Sequence, residues 1–512
     1  MQFSKLGRKR IIRLGLLYLL QLGLLALFSI LVASSAQNYL ALVAISSLFF
    51  ATIIINYDTQ PEFKMSWIFI ILFLPIFGGI LYLFLRKQTQ WNGYEEKLTE
   101  INKKVDLSLK DYPNILEDYP DMDPDAKHLS NFITKTFKVL PSNKTHSTYM
   151  PLGEDLFEAL KEDLRQAKKY IFLEFYILEK GTMLDEILEI LFDKAQEGLD
   201  IRLLYDDVGN ILRIDENFVA YLNENGIKTS VFNPLDWRLT FQYNYRDHRK
   251  IMVVDGKIGY TGGMNIGDNY INRVEKAGHW KDGGIRLEGQ GVWGFTTMFL
   301  SLWDYLNDDT QDFRVFHPDE YKSANEVVTP GGYVHPFADD PTNRIQISES
   351  LYLKLIYNAK ESIYLKTPYL IFSQKLYSAL ENAALSGVDV RIVTPGIPDK
   401  KIVFETTQSF YDKLLEVGVK IYEYAPGFIH EKVIIIDQDF AINGTINFDY
   451  RSLHHSFECG VLFYNTQSII DMKNDFDNLF PICRQVSLEE NQDISVPRQI
   501  MRSFLQFFAP LM

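Results

Sequence analysis

The sequence predicts an α/β protein of two similar halves, each with a mixed sheet flanked by helices, preceded by an N-terminal α-helical transmembrane segment. Three observations predict this fold. Apolar runs of helical length stand near the N-terminus, strand and helix patterns alternate through the rest of the chain, and one motif occurs twice. The chain has 512 residues, 47% of them hydrophobic, which is enough for two cores. Its net charge of −14 argues against nucleic acid as the main partner.

Residues 1–87 are expected to form the membrane segment and to place the protein in the cell membrane as a multi-pass protein. The apolar runs Leu14–Ala33, Tyr39–Asn56 and Ser66–Leu85 each approach the roughly 20 residues that a helix needs to cross a bilayer. Basic residues before the first run and after the last both favour the cytoplasm, a condition that three full crossings do not satisfy. The sequence therefore leaves two or three crossings open, together with the membrane face of the site.

Residues 88–145 are acidic and contain Asp-Tyr-Pro twice, which predicts a solvated connector with short helices. Residues 146–330 and 331–512 then repeat one pattern of helix ends followed by strands. Leu164–Leu178 parallels Tyr357–Ile371 in this way. The first half carries about ten extra residues just ahead of its motif, rich in aromatic and basic side chains. They are either the lining of a lipid entrance or an ordinary packed loop.

The duplicated motif reads His, any residue, Lys, four apolar residues and Asp, followed by a Gly-bearing turn and an Asn. The apolar residues 251–254 and 433–436 predict strands buried on both faces. Residues two apart share one face of a strand, so the His and Lys of each copy point the same way. The motif residues are His248, Lys250, Asp255, Gly262, Gly263 and Asn265 in the first copy, and His430, Lys432, Asp437, Gly444, Thr445 and Asn447 in the second.

Two such copies facing each other suit phosphoryl transfer. One neutral imidazole can attack phosphorus while the other, protonated, donates to the leaving alcohol oxygen. The ammonium and amide groups can hold the non-bridging oxygens as charge develops. Asp255 precedes a Gly in a hairpin-turn dipeptide, so the motif aspartates are expected to organise the strand end rather than to react. Cys459 and Cys483 are the two cysteines of the chain and predict neither a zinc site nor a disulfide framework.

These residues make the chain similar to the phospholipase D superfamily and, within it, to the bacterial cardiolipin synthases. The resemblance implies two halves packed about a pseudo-two-fold axis, with the catalytic set His248, Lys250, Asp255, His430, Lys432 and Asp437. It also implies that an acid downstream of each motif hydrogen-bonds the catalytic imidazole. The expected substrate-binding set is Asn265, Asn447, Asp282, Glu458, Gly263 and Thr445.

The resemblance further implies that a phosphatidyl group passes from one phosphatidylglycerol to another through a phosphatidyl-histidine, without a metal or other cofactor. The expected partners are phosphatidylglycerol and membrane lipids. A hydrolytic phospholipase D, or a transferase with another alcohol acceptor, would carry the same motifs. A phosphodiesterase nuclease and an inactive membrane scaffold are less favoured alternatives. The nucleophilic histidine and the oligomeric state stay open, and the C-terminal amphipathic segment is expected either to lie on the membrane or to pack on the domain.

Overall fold

The computed structural model describes residues 36–57, 60–85, 94–110, 123–215, 217–235, 244–318, 329, 331–343 and 345–511, together with residues 16, 19, 20 and 23. Several predicted features lie outside these residues. They are most of the apolar run Leu14–Ala33, both Asp-Tyr-Pro sequences of the connector, and residues 236–243 of the insertion before the first motif.

The described helices ahead of the first sheet are α1 Ala36–Asn56, α2 Pro61–Phe73, α3 Pro75–Leu85, α4 Tyr94–Leu109 and α5 Pro124–Phe137. The apolar run Ser66–Leu85 is divided, because Leu74 leaves helical geometry (φ −131°) and Pro75 begins the next helix. Within the described part of the chain, no helix combines the length and apolar character that a membrane crossing needs. The transmembrane crossings therefore stay a prediction.

The first half forms a mixed sheet, which among the described residues has seven strands in the order β1-β9-β7-β6-β2-β3-β4. Strands β2, β3 and β4 are parallel and the others pair antiparallel, as the alternating pattern predicts. The elements are β1 Thr145–Met150, α6 Gly153–Gln166, β2 Tyr170–Phe175, α7 Thr182–Gln196, β3 Asp200–Asp206, α8 Asp207–Asn210, α9 Phe218–Glu224, β4 Ile227–Phe232, β5 Arg246–Asp247, β6 Ile251–Val254, β7 Ile258–Gly262, β8 His279–Lys281, β9 Gly284–Gly289 and α10 Val292–Asn307.

The second half repeats this plan in a larger mixed sheet, whose described strands run in the order β10-β19-β17-β16-β11-β13-β14-β20. The elements are β10 Tyr333–Asp339, α11 Ile347–Asn358, β11 Ser362–Lys366, β12 Leu370–Ile371, α12 Gln374–Leu385, β13 Asp389–Pro395, α13 Lys401–Ser409, α14 Tyr411–Glu416, β14 Lys420–Tyr424, β15 Gly427–Ile429, β16 Val433–Ile436, β17 Phe440–Gly444, β18 Phe448–Asp449, α15 Tyr450–His454, β19 Ser456–Tyr464, α16 Gln467–Leu479, β20 Cys483–Gln485, α17 Leu488–Gln492 and α18 Val496–Phe508.

The motif strands β6 and β16 are buried on both faces, as predicted. Val253 and Ile435 belong to one hydrophobic cluster that contains residues of both halves. Their neighbours Met252 and Ile434 point the other way, into the separate cores of the first and second half. The two motifs are thus held on either side of a shared core.

Two short parallel strand pairs join the halves next to the motifs. Strand β5, just before the first histidine, pairs with β19 of the second half. Strand β15, just before the second histidine, pairs with β8 of the first half. Each histidine therefore follows a strand that is hydrogen-bonded to the opposite half.

Candidate active site

Backbone hydrogen bonds place each motif histidine beside an acid of the other half. The amide of His248 donates to the Phe457 carbonyl at 2.9 Å, and the amide of His430 donates to the Lys281 carbonyl at 2.8 Å. Phe457 and Lys281 directly precede Glu458 and Asp282 in the sequence. The acids that follow the motifs are thus carried to the histidines by the strand pairs between the halves.

Both imidazoles are oriented through Nδ1. Nδ1 of His248 lies 2.9 and 3.0 Å from the two carboxylate oxygens of Glu458. Nδ1 of His430 lies 2.7 Å from Oδ2 of Asp282. Because an ionised carboxylate accepts a hydrogen bond and cannot donate one, each pair favours, when its acid is ionised, the tautomer with hydrogen on Nδ1 and a lone pair on Nε2. An imidazole in that state can act as a nucleophile or a base through Nε2.

The two acids differ in length, and the residue facing each of them differs to match. The hydroxyl of Thr445 donates to the Glu458 carboxylate, and Oγ1 of Thr445 accepts a hydrogen bond from the Cys459 amide at 3.0 Å. Gly263 is the counterpart of Thr445, and a Cβ there would stand 2.1 Å from Oδ1 of Asp282. Glycine is therefore needed beside the shorter acid, whereas threonine holds the longer one.

Both motif lysines are buried and donate to the backbone of their own motif. Nζ of Lys250 bonds the His248 carbonyl at 2.5 Å, and Nζ of Lys432 bonds the His430 carbonyl. Burial lowers the pKa of Lys250 to about 8 and that of Lys432 to about 7. Two cations are thus held in the site with little solvent around them, where an anion would be strongly attracted.

The same burial shifts the pKa of the histidines and acids. Burial and the fields of Lys250 and Lys432 hold the pKa of both His248 and His430 well below the usual range. Burial raises the pKa of Asp282 to about 6 and that of Glu458 to about 8. With neutral imidazoles and two buried lysines, the site is electrostatically prepared for an anionic substrate.

The motif aspartates lie at the far ends of the motif strands. Asp255 and Gly256 both have positive φ (53° and 68°), and the Lys257 amide bonds the Val254 carbonyl, as a type I′ hairpin turn requires. The Asp255 carboxylate accepts three backbone amides of residues 168–170 at 2.7–2.9 Å. Asp437 makes the same turn and accepts the amides of residues 360–362. In the structure both aspartates hold the strand end, and neither forms a hydrogen bond with a histidine in the described part of the chain.

The motif asparagines are buried, but their amides are used differently. Oδ1 of Asn265 accepts the Ile177 amide at 3.0 Å, and its Nδ2 donates to the Tyr270 hydroxyl at 3.0 Å. Oδ1 of Asn447 has no hydrogen-bond partner within the described residues. Asn265 is therefore tied to the scaffold through both ends of its amide, whereas Asn447 is tied through one, its hydrogen bond with the Asp449 side chain.

The sequence did not predict the aromatic rings that lie beside the histidines. The ring centre of Tyr176 lies 5.1 Å from that of His248. Tyr270 and Trp280 lie 5.5 Å from His430. Tyr176 stands at the end of a repeated strand segment, and this position is the signal that could have identified it. The rings restrict water around the imidazoles and strengthen the electrostatic interactions there.

Comparison with known proteins agrees with this geometry. The family model described as cardiolipin synthase, PLD-like domain, matches residues 160–278 and 352–480, and a phospholipase D-nuclease N-terminal model matches residues 40–87. Cardiolipin synthase 2 of Bacillus anthracis is 32% identical over 474 residues, covering 91% of this chain and 90% of its own. The cardiolipin synthase of Geobacillus kaustophilus is 33% identical over 494 residues, covering 96% and 94%.

A solved structure shares the fold. Phosphatidylserine synthase of Haemophilus influenzae aligns with a TM-score of 0.56 and 15% identity, over 75% of this chain and 97% of that protein. The two-sheet fold and the duplicated His-Lys site define a member of the phospholipase D superfamily. Within that superfamily, the chain belongs to the cardiolipin synthase family.

Proposed function

We propose that the protein is a phosphatidyltransferase that converts two molecules of phosphatidylglycerol into cardiolipin and glycerol. The observation that carries this proposal is the pair of imidazoles, buried in His430 and partly buried in His248, each oriented through Nδ1 by an acid of the opposite half. Two equivalent imidazoles can exchange the roles of nucleophile and acid, which a transfer in two displacements needs. The names of the related cardiolipin synthases support the same reaction.

In the first displacement, Nε2 of one histidine attacks the phosphorus of a phosphatidylglycerol. The bond from phosphorus to the glycerol oxygen breaks, and that oxygen takes a proton from Nε2 of the other histidine. A bound phosphodiester is an anion beside both rings, so it raises the pKa of the imidazole that has to be protonated. Glycerol leaves, and a phosphatidyl-histidine with a phosphorus–nitrogen bond remains.

In the second displacement, the terminal hydroxyl of another phosphatidylglycerol attacks the same phosphorus. The histidine that served as acid now accepts the hydroxyl proton, and the phosphorus–nitrogen bond breaks to release cardiolipin. The ammonium groups of Lys250 and Lys432 hold the non-bridging oxygens as charge develops, with the amide of Asn447 beside them. We assign Asp255 and Asp437 to the organisation of the strand ends.

The substrates place the enzyme at a membrane. We propose that residues 36–85 attach it to the cell membrane, since this stretch carries exposed apolar side chains such as Leu48, Leu72 and Phe73. The match of residues 40–87 to an N-terminal family model supports this assignment. The number of crossings depends on the first apolar run, most of which lies outside the described residues.

The test is incubation of the full-length, detergent-solubilised protein with phosphatidylglycerol alone in the presence of a chelator. Cardiolipin and glycerol should appear in equal amounts. Phosphatidic acid in place of cardiolipin would make water the acceptor and the protein a hydrolase. His248→Ala and His430→Ala should each abolish turnover with unchanged thermal stability, because each ring is needed in both displacements.

A further inference from the structure

Helix α18 turns its polar side toward the protein and its apolar side outward, which is the reverse of an ordinary surface helix. Its sequence, VPRQIMRSFLQFF, places arginines four residues apart and apolar residues four residues apart on opposite sides. A helix that packs on a soluble domain buries its apolar side. In this structure the arginine side faces the protein.

The inward side of α18 is fixed by an ionic cluster around the buried Arg502. Arg502 is only 6% exposed and donates to Glu405 at 3.0 Å, to Asn491 and to Gln408. Arg498 donates to the same carboxylate, with its shortest bond at 2.7 Å. These charge-assisted bonds determine which side of the helix faces α13. The helix cannot rotate its apolar side inward without breaking the pairs of Arg498 and Arg502 with Glu405.

The outward side of α18 consists of Val496, Ile500, Met501 and Phe504, which we call the outer face. Val496, Ile500 and Phe504 are 65%, 66% and 57% exposed. On the neighbouring helix α13, Ile402 is also exposed. A contiguous set of this kind on one helix is the mark of an interaction surface rather than of isolated exposed residues.

The outer face is continuous with the proposed membrane segment. Oγ of Ser66 on α2 donates to the Phe507 carbonyl at 3.0 Å, and the Phe69 ring lies 4.9 Å from that of Phe507. One turn earlier, α2 approaches the site, because the Phe63 ring lies 5.8 Å from that of Tyr450. Tyr450 begins the short helix that follows the motif residue Asn447.

We propose that the outer face of α18 lies in the headgroup–acyl boundary of a phospholipid bilayer and turns the active site toward it. This inference rests on the proposed function, because it takes the occupant to be the bilayer that contains the lipid substrates. Charge is consistent with that choice: residues 496–512 contain no acid, the outer face itself is uncharged, and both arginines of the helix are paired with Glu405, in a chain of net charge −14. Anionic lipids therefore meet no local repulsion there. The sequence left open whether this segment packs on the domain or lies on the membrane. In this proposal it does both: the arginine side packs on the domain and the apolar side lies in the bilayer.

The test is an environment-sensitive NBD label on a cysteine at position 504, in full-length protein reconstituted into phosphatidylglycerol-containing vesicles. The label is introduced by Phe504→Cys in a Cys483→Ser background. Cys459 is fully buried, and burial raises its pKa to about 12, so it should stay unlabelled. The matched control is Val315→Cys, an equally exposed apolar position on a turn of the first half that also carries Asp312 and Arg314.

The label at 504 should shift to the blue and be quenched by lipids that carry a quencher on the upper acyl chain. The label at 315 should report water. A water-exposed label at 504 would overturn the proposal. A label that is shielded but not quenched by lipid would also overturn it, because the first apolar run or a second copy of the chain would then cover the outer face. These readings do not depend on whether cardiolipin is the product.

A kinetic comparison tests the consequence for catalysis. Ile500→Gln with Phe504→Gln should lower the rate on phosphatidylglycerol in vesicles by at least about tenfold, because both side chains leave the bilayer. The rate on short-chain phosphatidylglycerol dispersed below its micelle concentration should stay unchanged, and Val315→Gln should affect neither. An equal loss on both substrates would mean that the helix only supports the fold, and would overturn the proposed role.

Discussion

The carboxylate of Asp282 provides the sharpest test of how the site prepares a histidine. Its Oδ1 accepts the Gly283 amide at 3.0 Å, and its Oδ2 accepts Nδ1 of His430 at 2.7 Å. In Asp282→Asn, the amide nitrogen cannot face the Gly283 amide, since both are donors. The nitrogen must therefore point at His430, where it donates to Nδ1 and forces the ring hydrogen onto Nε2.

A ring with hydrogen on Nε2 and no charged partner can neither attack phosphorus nor serve as an effective acid. In serine hydrolases, loss of the carboxylate that orients the histidine leaves the ring in the wrong tautomer and lowers turnover by about 10⁴-fold. This corresponds to about 5 kcal/mol in the activation barrier. We expect a loss of about 10³- to 10⁴-fold in kcat for Asp282→Asn, with KM little changed.

The assay is cardiolipin formation from phosphatidylglycerol, together with thermal unfolding of each variant. Asp304→Asn is the matched control, because Asp304 is also buried, has its pKa raised to about 6 by burial, and bonds Lys104 on α4. That change should leave kcat nearly unaltered. A folded Asp282→Asn enzyme that keeps more than about a tenth of its activity would refute the tautomer argument.

Four further outcomes follow from the same geometry. Gly263→Ala places a Cβ 2.1 Å from Oδ1 of Asp282 and 2.6 Å from the His430 carbonyl, so kcat should fall by about 10²-fold or more; full activity would show that the acid has room to move. Lys432 and Lys250 must be protonated, with pKa values that burial lowers to about 7 and about 8, whereas Glu458 must be ionised, with a pKa that burial raises to about 8; kcat/KM should therefore pass through a maximum between pH 7 and 8 and decline above it. The decline in kcat should come at higher pH, since the bound anion raises the pKa of both lysines; coincident profiles would contradict this. Lys432→Met should abolish activity yet raise Tm, and the rise should be largest below pH 7. The reason is that the unfolded chain binds the proton of the Lys432 ammonium more tightly than the folded protein does; calorimetry across pH checks the sign.

Much of the fold could be predicted because its signals are local. The β-branched runs 251–254 and 433–436 form the buried motif strands, and the Asp255-Gly256 dipeptide makes the predicted hairpin turn. The division of the run Ser66–Leu85 was missed, because average hydropathy does not register the break before Pro75.

The residues of the site could be predicted, but the pairing of each acid with the histidine of the opposite half could not. The sequence shows Asp282 and Glu458 downstream of their own motifs, with nothing local to indicate that each serves the opposite histidine. That exchange depends on strand pairs between residues more than a hundred positions apart. The match of Gly263 to the shorter acid and Thr445 to the longer one is visible as a difference in sequence, but its reason is a contact in space.

The exchange of acids explains why two copies of the motif act as one site. A single half has a histidine and a lysine but no carboxylate to set the tautomer of its ring. The residue between His430 and Lys432 strengthens this dependence, because Glu431 is buried and pairs with Lys366 of its own half at 2.7 Å and with Lys281 of the other at 3.3 Å. Separating the halves would break the pair of Glu431 with Lys281 and leave Glu431 with Lys366 alone. Orientation of the rings and cohesion of the halves thus depend on the same short strands, so selection for one preserves the other.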